Sequence, residues 1–294
     1  MVTSTAASGG RGRLRPGISL AGAAEHYRDE LVRQQRPKNT VDSYLYDITV
    51  LAHQVPTKSV NQITSADLGR FLAEAHSPAT RKRRLTSMRR FFNFMIEQEH
   101  ILSIDPTVEF VPTKVELRTP RPLNTLEQDG LLGAASEDEP WSLTAIWMML
   151  RLGLSRAEIL RLQRRDIELA NMVAPTVRIE TDDLAKPNQN RTLTADSRFA
   201  EIYGEFLDRR EPEGRLFPVG FQAVNGMVDR VRMAAVIGRP VTPRLLRESY
   251  AADRARAGAS EADLIAELGL AEDARNRQSV RRYLELAQPS TDSS

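Results

Sequence analysis

Apolar residues recur at helical spacing along most of this 294-residue chain, and that spacing predicts a mainly helical fold. The first such face carries Leu20, Ala24, Tyr27 and Leu31. The spacing changes at residues 172–181 and 191–194, which have strand-like composition and flank a polar turn. We therefore expect helices joined by one small antiparallel hairpin.

A proline-rich stretch divides the chain, which is longer than one typical domain. Three prolines, at positions 112, 120 and 122, lie among basic and polar residues, as in an extended linker. We predict a disordered basic tail over 1–17, a first domain over 18–110, the linker over 111–122, a second domain over 123–286 and a polar tail over 287–294.

Helix-start signals order the first domain. Thr40 can cap a second helix, and the Thr64-x-x-Asp67 capping box opens a third. Ser77-Pro78 starts a fourth helix that continues to about Glu97. These signals predict a domain of four helices.

Composition excludes several classes of site. The chain has no cysteine, and its four histidines lack metal-ligand spacing, so we expect no metal and no other cofactor. No apolar stretch approaches the roughly 20 residues that cross a bilayer, and the N-terminal segment lacks the apolar centre of a secretion signal. We expect a soluble, cytoplasmic protein without membrane partners.

The predicted fourth helix has two contrasting faces. Leu85, Met88, Phe92 and Met95 recur at core spacing. Its basic residues, with no acid among them, are Arg81, Lys82, Arg83, Arg84, Arg89 and Arg90. One interpretation is a solvated surface, and the other is a helix that lies along phosphate oxygens.

Several motifs follow one another in a familiar order. The first domain contains Asn39-Thr40-x-x-x-Tyr44, Ile63-Thr64-x-x-Asp67-Leu68, Thr80-x-x-x-x-Leu85 leading to Phe91-Phe92, and Asp105-Pro106. The second contains Gly153-Leu154-Ser155 with Glu158 and Asp166-Ile167, then Thr242-Pro243-Arg244-x-x-Arg247, then Leu268-Gly269 followed by Tyr283. From about residue 19 to 286, this order resembles the tyrosine recombinase, or phage integrase, family. The resemblance implies a four-helix, SAM-like core-binding domain followed by a mixed α/β catalytic domain of the recombinase type with a small antiparallel sheet.

The resemblance also implies a chemistry. Members of that family attack a DNA phosphodiester with a tyrosine hydroxyl and form a 3′-phosphotyrosyl link without metal or nucleotide. Fixed cations must then stabilise the charge that develops on the phosphate oxygens. On this chain the resemblance assigns Tyr283 as nucleophile, Arg247 as the second arginine and Lys186 as the lysine of the hairpin.

Three positions depart from the family pattern. Ser155 occupies the place of the first arginine, Arg244 that of a histidine, and Leu270 that of a histidine or tryptophan. Ser155-x-x-Glu158 is itself a capping box, so helix stability explains the serine. Arg156 is adjacent, but its side chain would point about 100° away around the helix. We favour the capping interpretation over a replacement by Arg156.

These observations lead to the hypothesis of a double-stranded DNA-binding protein that closes as a clamp on DNA, is impaired in catalysis, and serves as an accessory factor or regulator. It would self-associate on DNA, associate with the nucleoid and work beside a catalytic partner recombinase. An active recombinase that uses Arg156, Lys186, Arg244, Arg247 and Tyr283 is the alternative. A helical scaffold that binds only protein is a third reading, which the basic helix and linker disfavour. The expected DNA contacts in the first domain and linker are Arg81, Lys82, Arg84, Arg89, Arg90 and Lys114.

Overall fold

The computed structural model describes residues 14–114, 119–181 and 190–288. They form two compact units, one before and one after residue 116. The architecture is mainly helical with a small antiparallel sheet, which confirms the predicted fold class. In this described part of the chain, no helix is both long and apolar enough to cross a bilayer.

The first unit contains four helices around one apolar core. They are α1 (Leu20–Arg33), α2 (Lys38–Gln54), α3 (Ser65–Ala73) and α4 (Pro78–Glu97). The core residues predicted on α4 are all buried, and Tyr27 of α1 packs edge-on against Phe91 with ring centroids 5.5 Å apart. Burial of these apolar faces supplies the main stabilisation of the unit.

The helix starts follow the sequence signals with one exception. The capping box of Thr64 and Asp67 opens α3, and the Ser77 side chain accepts a hydrogen bond at the start of α4, with Pro78 in the first position. The prediction that Thr40 caps α2 is wrong, because α2 already begins at Lys38. Pro37 has φ −53° and extended ψ, so the chain enters the helix directly after it.

The predicted disordered tail needs a second correction. Residues 1–13 lie outside the described part, but Leu14 is buried in the first core. The Leu14 backbone N–H also donates to a carboxylate oxygen of Glu99 at 3.3 Å. An apolar side chain removed from water anchors the segment before α1, so residues 14–17 do not belong to a tail.

A buried carboxylate fixes the rotation of α4. Asp47 of α2 is fully buried and accepts hydrogen bonds from Arg83 Nη1 at 2.5 Å and Ser87 Oγ at 2.7 Å. Since Arg83 and Ser87 are thereby turned toward α2, Lys82 and Arg90 are left on the exposed side of α4.

The second unit combines eight described helices with three short strands. The helices are α5 (Thr125–Ser136), α6 (Ser142–Arg151), α7 (Arg156–Ile159), α8 (Ser197–Arg209), α9 (Phe221–Ala234), α10 (Pro243–Arg256), α11 (Glu261–Glu267) and α12 (Ala274–Ala287). The strands are β1 (Ile167–Glu168), β2 (Thr176–Ile179) and β3 (Arg191–Thr194). They form one antiparallel sheet in the order β1-β2-β3, with Val177 opposite both Ile167 and Leu193.

Two apolar clusters hold the second unit together. The larger one surrounds α6, whose residues are nearly all buried, and includes the stacked rings of Trp147 and Phe199. The smaller one joins α10, α11 and α12, and contains both Tyr250 and Tyr283. Helix α7 is only four residues long, and β1 was not predicted because two residues carry no readable alternation.

Candidate functional site

The turn between α6 and α7 is built against α10. Gly153 has φ +66°, and a Cβ at this position would overlap the Tyr250 ring. A glycine is therefore required both by the left-handed backbone and by the close approach of the ring. This turn places residues 153–158 beside α10.

Ser155 serves as the N-cap of α7. Its hydroxyl accepts a hydrogen bond from the Glu158 backbone N–H at 3.3 Å, and the Ser155 N–H donates to Glu158 Oε2 at 2.6 Å. The predicted capping box is thus confirmed. The position that the resemblance assigns to an arginine holds a helix cap instead.

Glu158 also holds two arginines in a buried cluster. Its Oε2 lies 2.9 Å from Arg247 Nη1 on α10, and its Oε1 lies 2.6 Å from Arg191 Nη1 on β3. Burial by itself would raise the pKa of this carboxyl, but the charges of Arg247 and Arg191 outweigh that effect and lower it to about 2. The Glu158 carboxyl is therefore fully ionised near neutral pH.

The same two arginines also donate hydrogen bonds to the end of α11 and the turn that follows it. Arg247 donates to the carbonyls of Gly153, at 2.8 Å, and Leu268. Arg191 Nε donates to the Glu267 carbonyl at 2.7 Å, and a Cβ on Gly269 would overlap its guanidinium. Both guanidinium groups therefore contact the Leu268-Gly269 motif.

Tyr283 lies on the face of α12 that packs against α10, and it is only 6% exposed. Burial raises the pKa of its hydroxyl, and the Glu248 carboxylate raises it further, whereas Arg282, Arg244 and Arg247 act in the opposite direction. The structure thus brings Tyr283 within electrostatic reach of the arginines that the sequence pairs with it.

Arg244 and Glu248 form an ion pair along α10. Arg244 Nε lies 2.8 Å from Glu248 Oε1, one helical turn away. Leu270 is half-buried against the smaller apolar cluster of the second unit and supplies no polar atom there. Lys186, the predicted lysine of the hairpin, lies outside the described residues.

Arg156 does not replace the first arginine in this conformation. Its guanidinium donates to Asn225 on α9 at 2.6 Å and lies over the Phe221 ring at 4.6 Å. The side chain is therefore directed to α9, in agreement with the helical angle expected from the sequence.

The basic residues of α4 separate into two groups. Lys82 and Arg90 are exposed, while Arg81 and Arg89 are half-buried and donate to Thr113 Oγ1 and to the Phe110 carbonyl. The exposed face of α4 comprises Lys82, Thr86, Arg90 and Asn93, flanked by Arg89. Lys114 is also exposed.

Arg84 is a correction to the predicted set of phosphate contacts. It is 8% exposed, its Nη1 donates to the Phe71 carbonyl at 2.6 Å, and its guanidinium lies 4.5 Å from the Phe71 ring centroid. Arg84 follows the exposed Lys82 by two residues, which is about 200° around the helix, and so lies on the buried arc. A cation buried in this way contributes to the core rather than to a surface for phosphate.

Two residues of the second-unit site were missed. The sequence identifies Arg191 only as the start of a strand. No pattern in the sequence signals an arginine that is buried by its tertiary contacts. Glu248 follows Arg244 by four residues on a predicted helix, so this ion pair was readable. Among the described residues, no three His, Asp or Glu side chains are grouped to hold a metal ion.

Comparisons with known proteins identify a matching family model and similar recombinases. Residues 24–99 match the family model described as phage integrase, N-terminal SAM-like domain. Tyrosine recombinase XerD of Ralstonia nicotianae is 26% identical over 239 residues, which cover 73% of this chain and 74% of that protein. Tyrosine recombinase XerC of Azotobacter vinelandii is 27% identical over 247 residues, covering 77% of this chain and 79% of its own.

Solved structures share the fold over nearly the whole chain. A lambda integrase dimer bound to a COC′ core site superposes with a TM-score of 0.74 at 16% identity, covering 95% of this chain and 80% of that one. The XerH recombinase bound to palindromic difH substrate in a post-cleavage complex gives a TM-score of 0.67 at 15% identity, covering 92% of each chain. The matched N-terminal domain, the Xer relatives and this shared fold together support the tyrosine recombinase family for this chain.

Proposed function

We propose that this protein binds double-stranded DNA as an accessory factor or regulator, and that its ability to cleave a DNA strand is impaired. The observation that carries the proposal is the capping box of Ser155 and Glu158 at the position where the family has its first arginine. DNA binding and impaired cleavage rest on different parts of the molecule, so they are argued separately.

The exposed face of α4 supports DNA binding. Lys82 and Arg90 lie on it, and no acidic residue follows in the helix until Glu97; Thr86 and Asn93 add hydrogen-bonding groups on the same face. Cations, hydroxyls and amides of this kind bind phosphate and sugar oxygens along a duplex. Structures with the same fold are described as bound to DNA, some as dimers and one as a tetramer on a Holliday junction. Self-association on DNA is part of the proposal.

The contacts of the second unit support the proposal that DNA strand cleavage is slow. Arg247 is retained, but it donates hydrogen bonds to Glu158 and to two backbone carbonyls, and Arg244 is paired with Glu248. Loss of one preorganised charge beside a reacting oxygen costs about 10²- to 10³-fold in rate, and loss of an arginine in phosphoryl transfer costs about 10³- to 10⁵-fold. Ser155 and Leu270 are both uncharged where the family has an arginine and a histidine or tryptophan. We therefore expect a rate of strand cleavage far below that of a working recombinase.

Salt-dependent binding tests the DNA-binding part. The affinity of the full chain for a mixed-sequence duplex is measured by fluorescence anisotropy over a series of salt concentrations. We expect the Lys82→Gln/Arg90→Gln variant to flatten the slope of log K against log salt by about 1.8, or about 0.9 for each lost phosphate contact. The control Arg28→Gln/Lys38→Gln removes the same charge from α1 and α2, where each cation is paired with an acid. Equal effects of the two variants would show that α4 has no special role.

Covalent trapping tests the chemistry. Suicide DNA substrates carrying a sequence that the protein binds are incubated with the wild type and with Tyr283→Phe, and products are separated on a denaturing gel. Normal binding without a covalent adduct is expected. An adduct that disappears in Tyr283→Phe would instead establish an active recombinase, the alternative favoured by the convergence of Arg244, Arg247 and Tyr283.

A further inference from the structure

Besides Glu158, a second acidic residue lies among the cations of the second-unit site. Glu248 follows Arg247 on α10, binds Arg244 at 2.8 Å, and acts electrostatically on the Tyr283 hydroxyl. Its side chain is 18% exposed, whereas the Arg244 side chain is 77% exposed. The carboxylate is therefore enclosed within the site, and the guanidinium extends from it toward solvent.

We infer that Glu248 is a built-in competitor of DNA phosphate: in the unbound protein it occupies Arg244, and it weakens phosphate binding at this site. The inference rests on the proposed DNA-binding function and deepens it, because it identifies the group that limits affinity in the second unit. A carboxylate resembles a phosphate in charge and in its two acceptor oxygens, so each can take the place of the other on a guanidinium.

The charges around the site support this role. The charge of Arg247 is met by Glu158, and the charge of Arg244 is met by Glu248. A phosphate that approaches Arg244 must separate an existing ion pair and then lie beside a negative charge. Removing the charge of Glu248 would leave Arg244 as a cation ready to bind.

Helix stability does not explain the pair. The side chain of Thr242 caps α10, so Arg244 lies in the first turn, where the helix dipole disfavours a cation. An acid four residues after a base is also the less favourable order for an i,i+4 ion pair. Both residues are thus placed against the preferences of an isolated helix, which points to a role at the site.

The test compares charge removal at two positions. Binding of the full-length wild type, Glu248→Gln and the control Glu205→Gln to a mixed-sequence duplex is measured by anisotropy across a salt series. Glu205 is exposed on α8, so its substitution removes the same charge elsewhere on the second unit. We expect Glu248→Gln to bind about 3- to 10-fold more tightly, with a salt slope steeper by about 0.9, because Arg244 gains one phosphate contact. The control should change affinity less than twofold.

A double variant assigns the gain to Arg244. Arg244→Gln/Glu248→Gln restores the local net charge, so its affinity should return to within about twofold of the wild type. Unchanged or weaker binding by Glu248→Gln, an equal gain in Glu205→Gln, or a double variant as tight as the single one would each overturn the inference. Wild-type protein without salt-dependent binding would instead refute the proposed function, and the inference with it. Thermal unfolding followed by tryptophan fluorescence confirms that each variant is folded.

Discussion

Replacing Glu158 with glutamine should destabilise the second unit by several kcal/mol. The side chain is 7% exposed, and its carboxylate is the shared partner of Arg247 and Arg191. Glutamine keeps the size of the side chain and a polar end, but it removes the only charge that Glu158 brings to this cluster. Two buried cations would then face a neutral group.

The magnitude follows from two independent routes. The pKa of the Glu158 carboxyl is about 2 in the folded protein against an ordinary value of 4.5. At about 1.4 kcal/mol for each tenfold change in the dissociation constant, the ionised group contributes roughly 3 kcal/mol to the free energy of unfolding near neutral pH. Removing one partner of a buried ion pair typically costs about 3 to 5 kcal/mol, which agrees.

Tryptophan fluorescence provides a local assay. Both tryptophans of the chain, Trp141 and Trp147, are buried in the second unit, so their emission reports unfolding of that unit. Urea titrations at neutral pH should give a free energy of unfolding about 3 kcal/mol lower for Glu158→Gln than for the wild type. The matched control is Glu205→Gln, for which a surface substitution predicts a change within about 0.5 kcal/mol.

The pH dependence of the free energy of unfolding provides a second test of the role of Glu158. Because the folded-state pKa lies below the unfolded one, the contribution of Glu158 is complete above about pH 5 and is lost as the pH falls toward 2. The difference between wild type and Glu158→Gln should therefore shrink by about 1 kcal/mol between pH 5 and pH 3.5. A difference below 1 kcal/mol at neutral pH, or one that grows on acidification, would refute the account.

Three further substitutions test other contacts. Asp47→Asn should destabilise the first unit by about 1 to 3 kcal/mol, measured by urea unfolding followed by circular dichroism, because the buried carboxylate that accepts hydrogen bonds from Arg83 and Ser87 loses its charge. Gly153→Ala should lower the free energy of unfolding of the second unit by about 2 kcal/mol or more in the tryptophan assay, since the backbone is left-handed and the Tyr250 ring must move. Ser155→Ala removes the N-cap of α7 and should cost about 1 kcal/mol in the same assay; no change would show that the cap is dispensable.

Local signals predicted much of the fold. Capping boxes and the Ser77-Pro78 start are read from neighbouring residues, and their geometry depends on little else. β1, with two residues, carries too little pattern to be recognised, and Leu14 is anchored by contacts distant in sequence. Such features are decided by tertiary packing, which a local pattern does not contain.

The site was predictable only where position on a helix decides the outcome. The helical angle correctly separated Arg156 from Ser155, and the missed ion pair of Arg244 with Glu248 was readable from the same helical spacing. The basic run of α4 was harder to interpret. Its membership of the basic run placed Arg84 with the surface residues, but the Phe71 ring and carbonyl provide it with a buried position. A basic residue is ordinarily expected at the surface, but Arg84 is buried in the core.

Ser155 and Glu158 show why one residue cannot serve both structure and chemistry here. The Glu158 backbone N–H needs an acceptor at the start of α7, and the Ser155 hydroxyl supplies it. An arginine at position 155 would offer a charge to phosphate but has no acceptor atom, so that N–H would lose its side-chain partner. Glu158 in turn orients Arg247, the one described arginine that the family pattern retains. The cap therefore stabilises the support of the second arginine at the position where the family has the first.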